Sequence, residues 1–389
     1  LLTGNLYLCA MFFRDVTGQA LAKQGLLNLW HSGKFPHALM LTGKEGTGGL
    51  PLALALAQYV FCERKQEQDS CGQCASCSKV QKLAHPDLHI SFPSVPPKPG
   101  TKAASKIYMN EFREFVQQTP YGSTFDWLQF INAENKQGNI TAEECRDIID
   151  TLNLTAFEGG YKIQLIWRPE YLGKEGNILL KLIEEPPQQT LIVMVAEEPE
   201  SVLNTILSRT QQVHLLPLTA TEITEALVNR NGADPRQAAQ AAQLAEGSYA
   251  QALQLLRYTG SDLLVPLREW FNSIFTNNGV TLNKWVEDMA KTGREQQKNF
   301  LVFTQQLLGH AMRMTLMENY APPLPPDEAT FAGKLAQRKF DPELYRKLDE
   351  EIGKVVYHIE RNAHSKVQLL ALSIRMQYLF QGQELKVFV

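Results

Sequence analysis

The sequence has no stretch of 18 uncharged apolar residues, so it predicts no membrane-spanning helix. It has no basic excess either: Lys+Arg 38 against Asp+Glu 41 leaves a net charge of −3. A chain that binds nucleic acid alone usually carries a basic surplus, so any such contact is expected to be made together with partners. Cysteine is sparse outside one short stretch, with six in 389 residues. Residues 1–10, LLTGNLYLCA, lack the basic segment of a secretory signal and are too short for one. They read as a leader or an artefact, with Met11 as the natural start. What remains is ordinary globular material, 44% hydrophobic and 20% charged, long enough for two or three domains.

The run Gly43-Lys44-Glu45-Gly46-Thr47-Gly48-Gly49-Leu50 has the outline of a phosphate loop with its chemistry removed. The working pattern, G-x-x-x-x-G-K-[ST], cradles phosphates on backbone amides, reaches them with the lysine and holds Mg²⁺ with the hydroxyl. Here Gly43 and Gly48 keep their places, but the lysine position is Gly49 and the hydroxyl position Leu50. An apolar strand leads in and a helix over 50–61 leads out, with Pro51 in its first turn, where a missing N–H costs nothing. A bland glycine-rich turn is the alternative reading of this loop taken alone.

Four of the cysteines, Cys62, Cys71, Cys74 and Cys77, follow that helix in the spacing C-x8-C-x2-C-x2-C. Two C-x2-C steps sharing Cys74 bring three thiolates onto one ion, and Cys62 closes the tetrahedron that structural Zn²⁺ prefers. Four thiolates leave no open position for water, so such a metal is structural. Disulfides and an iron–sulfur cluster are the alternatives for these thiols. Cys9 and Cys145 stand apart.

Up to residue 216 the pattern alternates short apolar strands (37–42, 127–131, 161–167, 190–196, 211–215) with helices (20–32, 50–61, 141–152, 176–185, 200–207). That alternation predicts a parallel α/β sheet buried on both faces. Thr141 and Glu144 form a capping box. The proline- and lysine-rich stretch 92–104 reads as a mobile loop. Beyond Pro217 the strands stop. Residues 219–258 predict three short helices, broken at Asn231-Gly232 and at Gly247, and longer helices follow at 263–275, 282–291, 294–320 and 342–380.

Several of these features occur together in one family. The cysteine knuckle directly follows the loop helix, and His85-Pro86-Asp87 comes next. Asn177-Ile178-Leu179-Leu180-Lys181-Leu182-Ile183-Glu184-Glu185-Pro186-Pro187 precedes a strand, and Ile206-Leu207-Ser208-Arg209-Thr210 closes the next helix. The chain resembles the AAA+ clamp-loader subunits of bacterial DNA polymerase III, the gamma/tau and delta prime group, over most of 11–260. Residues 261–389 match only in helical character and in Asn362-Ala363-His364-Ser365-Lys366. The resemblance implies an AAA+ α/β domain with a zinc knuckle over 11–217, a helical lid over 218–260 and an all-α collar over 261–389. It also implies a pentameric loader in the bacterial cytoplasm, in which gamma/tau ATPase subunits and a delta subunit are partners. The sliding clamp and primer–template DNA would be reached through the complex.

In that family each ATP site borrows an arginine from the next subunit, carried in a Ser-Arg-Cys motif. Ser208 and Arg209 match it, and Thr210 replaces the cysteine. Capping of a helix end by Arg209 is the plainer alternative. The rest of the family's ATP site has departed. Gly49 and Leu50 replace lysine and hydroxyl, Trp167 and Arg168 stand at the acidic pair, and Ala196 and Glu197 fall at the polar sensor. Ala250 stands at the lid arginine of Gly247-Ser248-Tyr249-Ala250-Gln251-Ala252-Leu253. No ATP binding is expected at Gly43, Gly46, Gly48 and Gly49, and the pattern is nearest the non-catalytic delta prime branch. The alternatives are a gamma/tau-type ATPase, a stand-alone zinc-stabilised nucleic-acid-binding protein, and a passive scaffold with an inert Arg209.

Overall fold

The computed structural model describes residues 12–382 other than 99, 134–135, 258–259, 318, 323 and 361–362. The leader and start expected within residues 1–11, and Asn362, lie outside the described residues. The chain divides into two compact units, Leu1–Ala252 and Leu253–Val389.

The first unit is built on five parallel strands: β1 (Ala38–Thr42), β2 (Leu88–Ser91), β3 (Lys162–Trp167), β4 (Thr190–Ala196) and β5 (Gln211–His214). Their order across the sheet is β2-β3-β4-β1-β5. Period-two alternation sends side chains to two separate cores. Leu39, Leu41, Ile163, Leu165, Trp167, Leu191, Val193 and Val195 enter one. Ala38, Met40, Ile166, Ile192, Met194 and Ala196 enter the other. The first core is closed by α1 (Ala20–His31), α2 (Gly49–Phe61), the short α3 (Ala75–Gln81), α4 (Met109–Gln118) and α5 (Thr124–Phe130). Helix α2 is buried from Leu50 to Val60, so it is apolar all round. The second core is closed by α6 (Ala142–Asn153), α7 (Leu180–Glu184) and α8 (Asn204–Leu207). The unit ends in α9 (Ala220–Asn231), α10 (Pro235–Leu244) and the start of α11 (Tyr249–Arg257), with the breaks where Gly232 and Gly247 predict them.

Four expectations for this unit change, the first being the helix expected at 176–185, which is the end of a 3₁₀ segment, Pro169–Leu179, followed by α7. Residues 127–131 are no strand; they belong largely to α5. Ser123 Oγ accepts the Asp126 N–H at 3.0 Å and Asp126 Oδ2 accepts the Ser123 N–H at 2.8 Å, a capping box that commits the segment to helix. Its aromatic residues are there to pack. Trp127 is fully buried among Phe92, Phe112 and Phe115 and donates its indole N–H to the Pro93 carbonyl at 2.7 Å. The strand at the edge beside β3 is instead β2, four residues long. Residues 92–104 are anchored at both ends, since Phe92, Val95 and Ala103 are buried and Ser94 bridges Asn139. The helix expected at 200–207 splits into a 3₁₀ turn, Pro199–Ser201, and α8, with Val202 extended between them.

The second unit holds, among the described residues, α12 (Gly260–Phe275), α13 (Gly279–Ala290), α14 (Arg294–Leu316), α15 (Pro326–Ala336), α16 (Pro342–Glu360) and α17 (Ser365–Phe380). Its core stacks Trp270 on Trp285, ring centroids 4.9 Å apart, beside Phe300. The Trp270 indole N–H donates to Ser373 Oγ at 2.8 Å, tying α12 to α17. The single helix expected over 342–380 is two, and α15 was not foreseen. Proline at a first helical turn, as Pro326 is, starts a helix as readily as it marks a loop. No helix among the described residues is long and apolar enough to cross a membrane.

Candidate functional site

Strand β1 has β4 on one side and β5 on the other, while the next strand in the chain, β2, lies at the far edge. The crevice beyond the carboxyl end of such a strand is where open α/β sheets take ligands. Gly43–Leu50 occupies it. The loop folds as a phosphate loop does at its ends, with Gly43 N–H donating to the Ala196 carbonyl at 3.1 Å and Thr47 Oγ1 to the Lys44 carbonyl at 2.7 Å. Distant residues of the chain pack against it. Tyr249 donates its backbone N–H to the Gly46 carbonyl at 3.0 Å. Gly46 has φ +78°, and a Cβ there would stand 2.1 Å from Ser248 Oγ and 2.9 Å from the Ala250 nitrogen. Tyr121 lies over Gly48, packs edge-on against Tyr249 at 4.8 Å and accepts the Thr17 N–H on its hydroxyl at 2.8 Å. Gln19 closes the remaining side, donating to the Thr47 and Leu216 carbonyls at 3.1 and 2.7 Å. Gln19 and Tyr121 escape sequence reading because they approach from distant segments.

The positions expected for the acidic pair are buried. Trp167 is 1% exposed and packs against Phe112 and Phe115. Arg168, in the left-handed region at φ +64°, ion-pairs with Glu197 and lies 3.7 Å from Glu170 and 3.8 Å from Glu198. Glu170 Oε1 also accepts the N–H groups of Glu197 and Glu198 at 2.6 and 2.7 Å, and burial pushes its carboxyl upward. One guanidinium and three carboxyl groups thus cap the carboxyl ends of β3 and β4. The signal was there to see: W-R-P-E and A-E-E follow two apolar strands whose ends pair in register, Trp167 with Val195. Ala196, at the sensor position, is a core residue, and Ala250 packs on the loop.

Arg209 follows α8 and is about one-third exposed, with Glu184 about half exposed. Its Nε–H pairs with Glu184, and its Nη1 donates to the Thr205 carbonyl at 3.0 Å and to Ser208 Oγ at 3.4 Å. Ser208 Oγ in turn donates to the Thr205 carbonyl at 3.3 Å.

The four cysteines come together as their spacing predicts, all Sγ atoms within 4.8 Å of one another and Cys71 and Cys77 4.0 Å apart. Thiolates 2.3 Å from one tetrahedral ion lie roughly 3.8 Å apart, so the set could hold a metal ion such as zinc. Cys62 ends α2, and Cys74 caps α3, accepting the Cys77 N–H at 3.4 Å. Cys71 N–H donates to Cys62 Sγ at 3.2 Å and Gln73 N–H to Cys71 Sγ at 3.5 Å. The Gln73 amide draws the Cys71 thiol down to about 6, whereas burial pushes Cys62 and Cys77 up. His85 stacks on Phe61 at 3.9 Å and meets Glu158 at 3.2 Å, while Asp87 accepts the Phe157 and Glu158 N–H groups at 2.6 and 3.0 Å. His85-Pro86-Asp87 is therefore a structural brace.

The delta' subunit of DNA polymerase III from Bacillus subtilis (strain 168) is 27% identical over 233 residues, covering 60% of this chain and 57% of that protein. The tau subunit from Escherichia coli (strain K12) is 26% identical over 249 residues, covering 62% of this chain and 32% of that one. The E. coli delta' subunit is 26% identical over 193 residues, 49% of this chain and 46% of its own. The chain thus spans about a third to just over half of these relatives. Among solved structures, a gamma subunit-related protein from Thermotoga maritima covers 92% of this chain and 98% of its own at 12% identity, with a TM-score of 0.39. The family model described as DNA polymerase III, delta subunit, matches residues 18–219, more than half of the 389-residue chain. The chain belongs to this family of DNA polymerase III clamp-loader subunits.

Proposed function

We propose that this chain is a delta prime-type clamp-loader subunit that does not turn over ATP itself and completes the ATP site of a neighbour. In this reading it assembles with gamma/tau ATPase subunits and a delta subunit, through a collar over 261–389. The complex loads the sliding clamp onto primer–template DNA. Residues 218–260 are the lid, and Arg209, supported by Ser208, enters the adjoining subunit's site. A planar, permanently charged guanidinium suits the charge that spreads over a transferring γ-phosphoryl group. Zn²⁺ held by Cys62, Cys71, Cys74 and Cys77 stabilises the knuckle and takes no part in chemistry.

The observation that carries the reading is the Gly46–Tyr249 hydrogen bond at 3.0 Å, with Ser248, Ala250 and Tyr121 packed over the same loop. Residues 248–250 and Tyr121 pack against the loop, and Gly49 and Leu50 offer a triphosphate no cation or hydroxyl, which supports the reading. Arg209, by contrast, faces solvent. One contact favours a second reading, that of a scaffold with a helix-capping arginine: the Arg209 bond to the Thr205 carbonyl. Reconstitution with the cognate gamma/tau and delta subunits separates the two. DNA-stimulated ATP hydrolysis should rise when this chain completes the assembly and fall when the chain carries Arg209→Ala; an assembly equally active without the chain, or with the variant, contradicts the proposal.

A further inference from the structure

We infer that Glu184 is a positioning residue for Arg209, fixing the direction of its guanidinium before any partner arrives. The inference rests on the reading of Arg209 as an arginine given to a neighbouring site.

The two residues leave separate helices that share one core. Glu184 is the last residue of α7, directly after the buried Ile183, and Pro186 stops the helix beyond it. Arg209 follows α8, which Ile206 anchors in the same core. Both backbones are therefore set by packing, and the pair spans them. A guanidinium has five N–H donors in a rigid fork. Nε–H goes to Glu184 and Nη1 to Thr205 and Ser208. Among the described residues Nη2 has no partner, so both of its N–H groups are free for an incoming oxyanion. An unheld arginine would spread over many rotamers and lose that freedom when it docked. Bonds from Nε and Nη1, on either side of Nη2, remove most of that cost beforehand, which is preorganisation. As a stabiliser of this chain the pair is worth little, since both partners are exposed. Its value lies in direction.

The test uses the reconstituted loader with wild type, Glu184→Ala, Glu184→Gln, Arg209→Ala and the Glu184→Ala/Arg209→Ala double variant, reading kcat and KM for DNA-stimulated ATP hydrolysis. Glu184→Ala should lower the Arg209-dependent part of kcat about 3- to 10-fold, within the range expected for misplacing a reacting group, and leave KM unchanged. Glu184→Gln should stay near wild type, because its carboxamide oxygen still accepts the Nε–H. The double variant should match Arg209→Ala. Wild-type turnover or a rise in Glu184→Ala overturns the inference, as does a double variant slower than Arg209→Ala, which would mark a structural role. If Arg209→Ala itself has no effect, the reading of Arg209 fails and this inference with it. A normal loss in Arg209→Ala beside an unaffected Glu184→Ala sinks this inference alone.

Discussion

The Tyr249 N–H and the Gly46 carbonyl meet at 3.0 Å across some 200 residues of chain, and this bond seats the first turn of α11 against the glycine-rich loop. Gly46 sits at φ +78° with Ser248 Oγ 2.1 Å from the place of a Cβ. Gly46→Ala therefore meets two penalties, a left-handed backbone costing about 1–2 kcal/mol and overpacking costing about 1–3 kcal/mol. The expected result is a lower urea midpoint; an unchanged midpoint would mean that residues 248–250 are not seated on the loop.

Restoring the missing residues should not restore the site. At Gly49 a Cβ would stand 2.7 Å from Val195 Cγ1, and Leu50 is buried. The Gly49→Lys/Leu50→Ser variant is expected to be destabilised and still to bind no ATP at micromolar concentration, as the wild-type chain is expected not to. Equilibrium dialysis with labelled ATP measures both, and micromolar binding by the wild-type chain would refute the closed-loop account. Weak anion binding to the loop amides would not.

Purified protein should contain one zinc per chain. Serine at any of Cys62, Cys71, Cys74 or Cys77 should abolish stoichiometric metal and loosen the segment between α2 and α3, because the metal's binding energy is part of the local folding energy. Elemental analysis that finds no metal, or finds iron with visible absorbance, would count against it.

Arg168 is 6% exposed and faces Glu170, Glu197 and Glu198. Arg168→Met leaves these carboxylates without a cation, and breaking a buried ion pair in this way typically costs about 3–5 kcal/mol. The loss should shrink as pH falls, because burial pushes the Glu170 carboxyl upward and it takes up a proton first. Urea melts at pH 5 and 8 report it, and equal melts of variant and wild type would show that the cluster is not stabilising.

How much of this was legible depended on sequence distance. The convergence of the four cysteines was legible because they lie within 16 positions and helix ends fix two of them. The four strands at 37–42, 161–167, 190–196 and 211–215 were read from apolar runs with turn residues at their ends. Strand β2, Leu-His-Ile-Ser, was missed because four residues with two polar ones carry almost no pattern. Residues 127–131 misled because buried aromatics look alike in a strand and a helix, and only the Ser123–Asp126 box decides. The Arg168 cluster and the lid contact need the register of β3 on β4 and the approach of residue 249 to residue 46, which no local window holds.

In the second unit, Glu328 is 4% exposed, and burial raises its carboxyl from 4.5 to about 7. Between those values the folded chain binds more protons than the unfolded one, so stability is greatest below pH 4.5 for this group and is lost as pH rises through 7. The change is on the order of 3 kcal/mol. Glu328→Gln should flatten that slope and raise stability at pH 8; a variant with the wild-type slope would place the titration elsewhere.

The most direct measurement of the central claim is ATP turnover by the reconstituted loader carrying Arg209→Ala. The variant should fold and assemble, since a charge at a helix end is worth only about 0.3–1 kcal/mol. Yet turnover at the one site that Arg209 completes should be lost, because a supplied arginine is worth about 10³–10⁵ in rate there. Arg209→Lys should not rescue it fully, lacking the planar fork. A variant complex that hydrolyses ATP and loads clamps at the wild-type rate would contradict the account and leave Arg209 as a helix cap on a passive subunit.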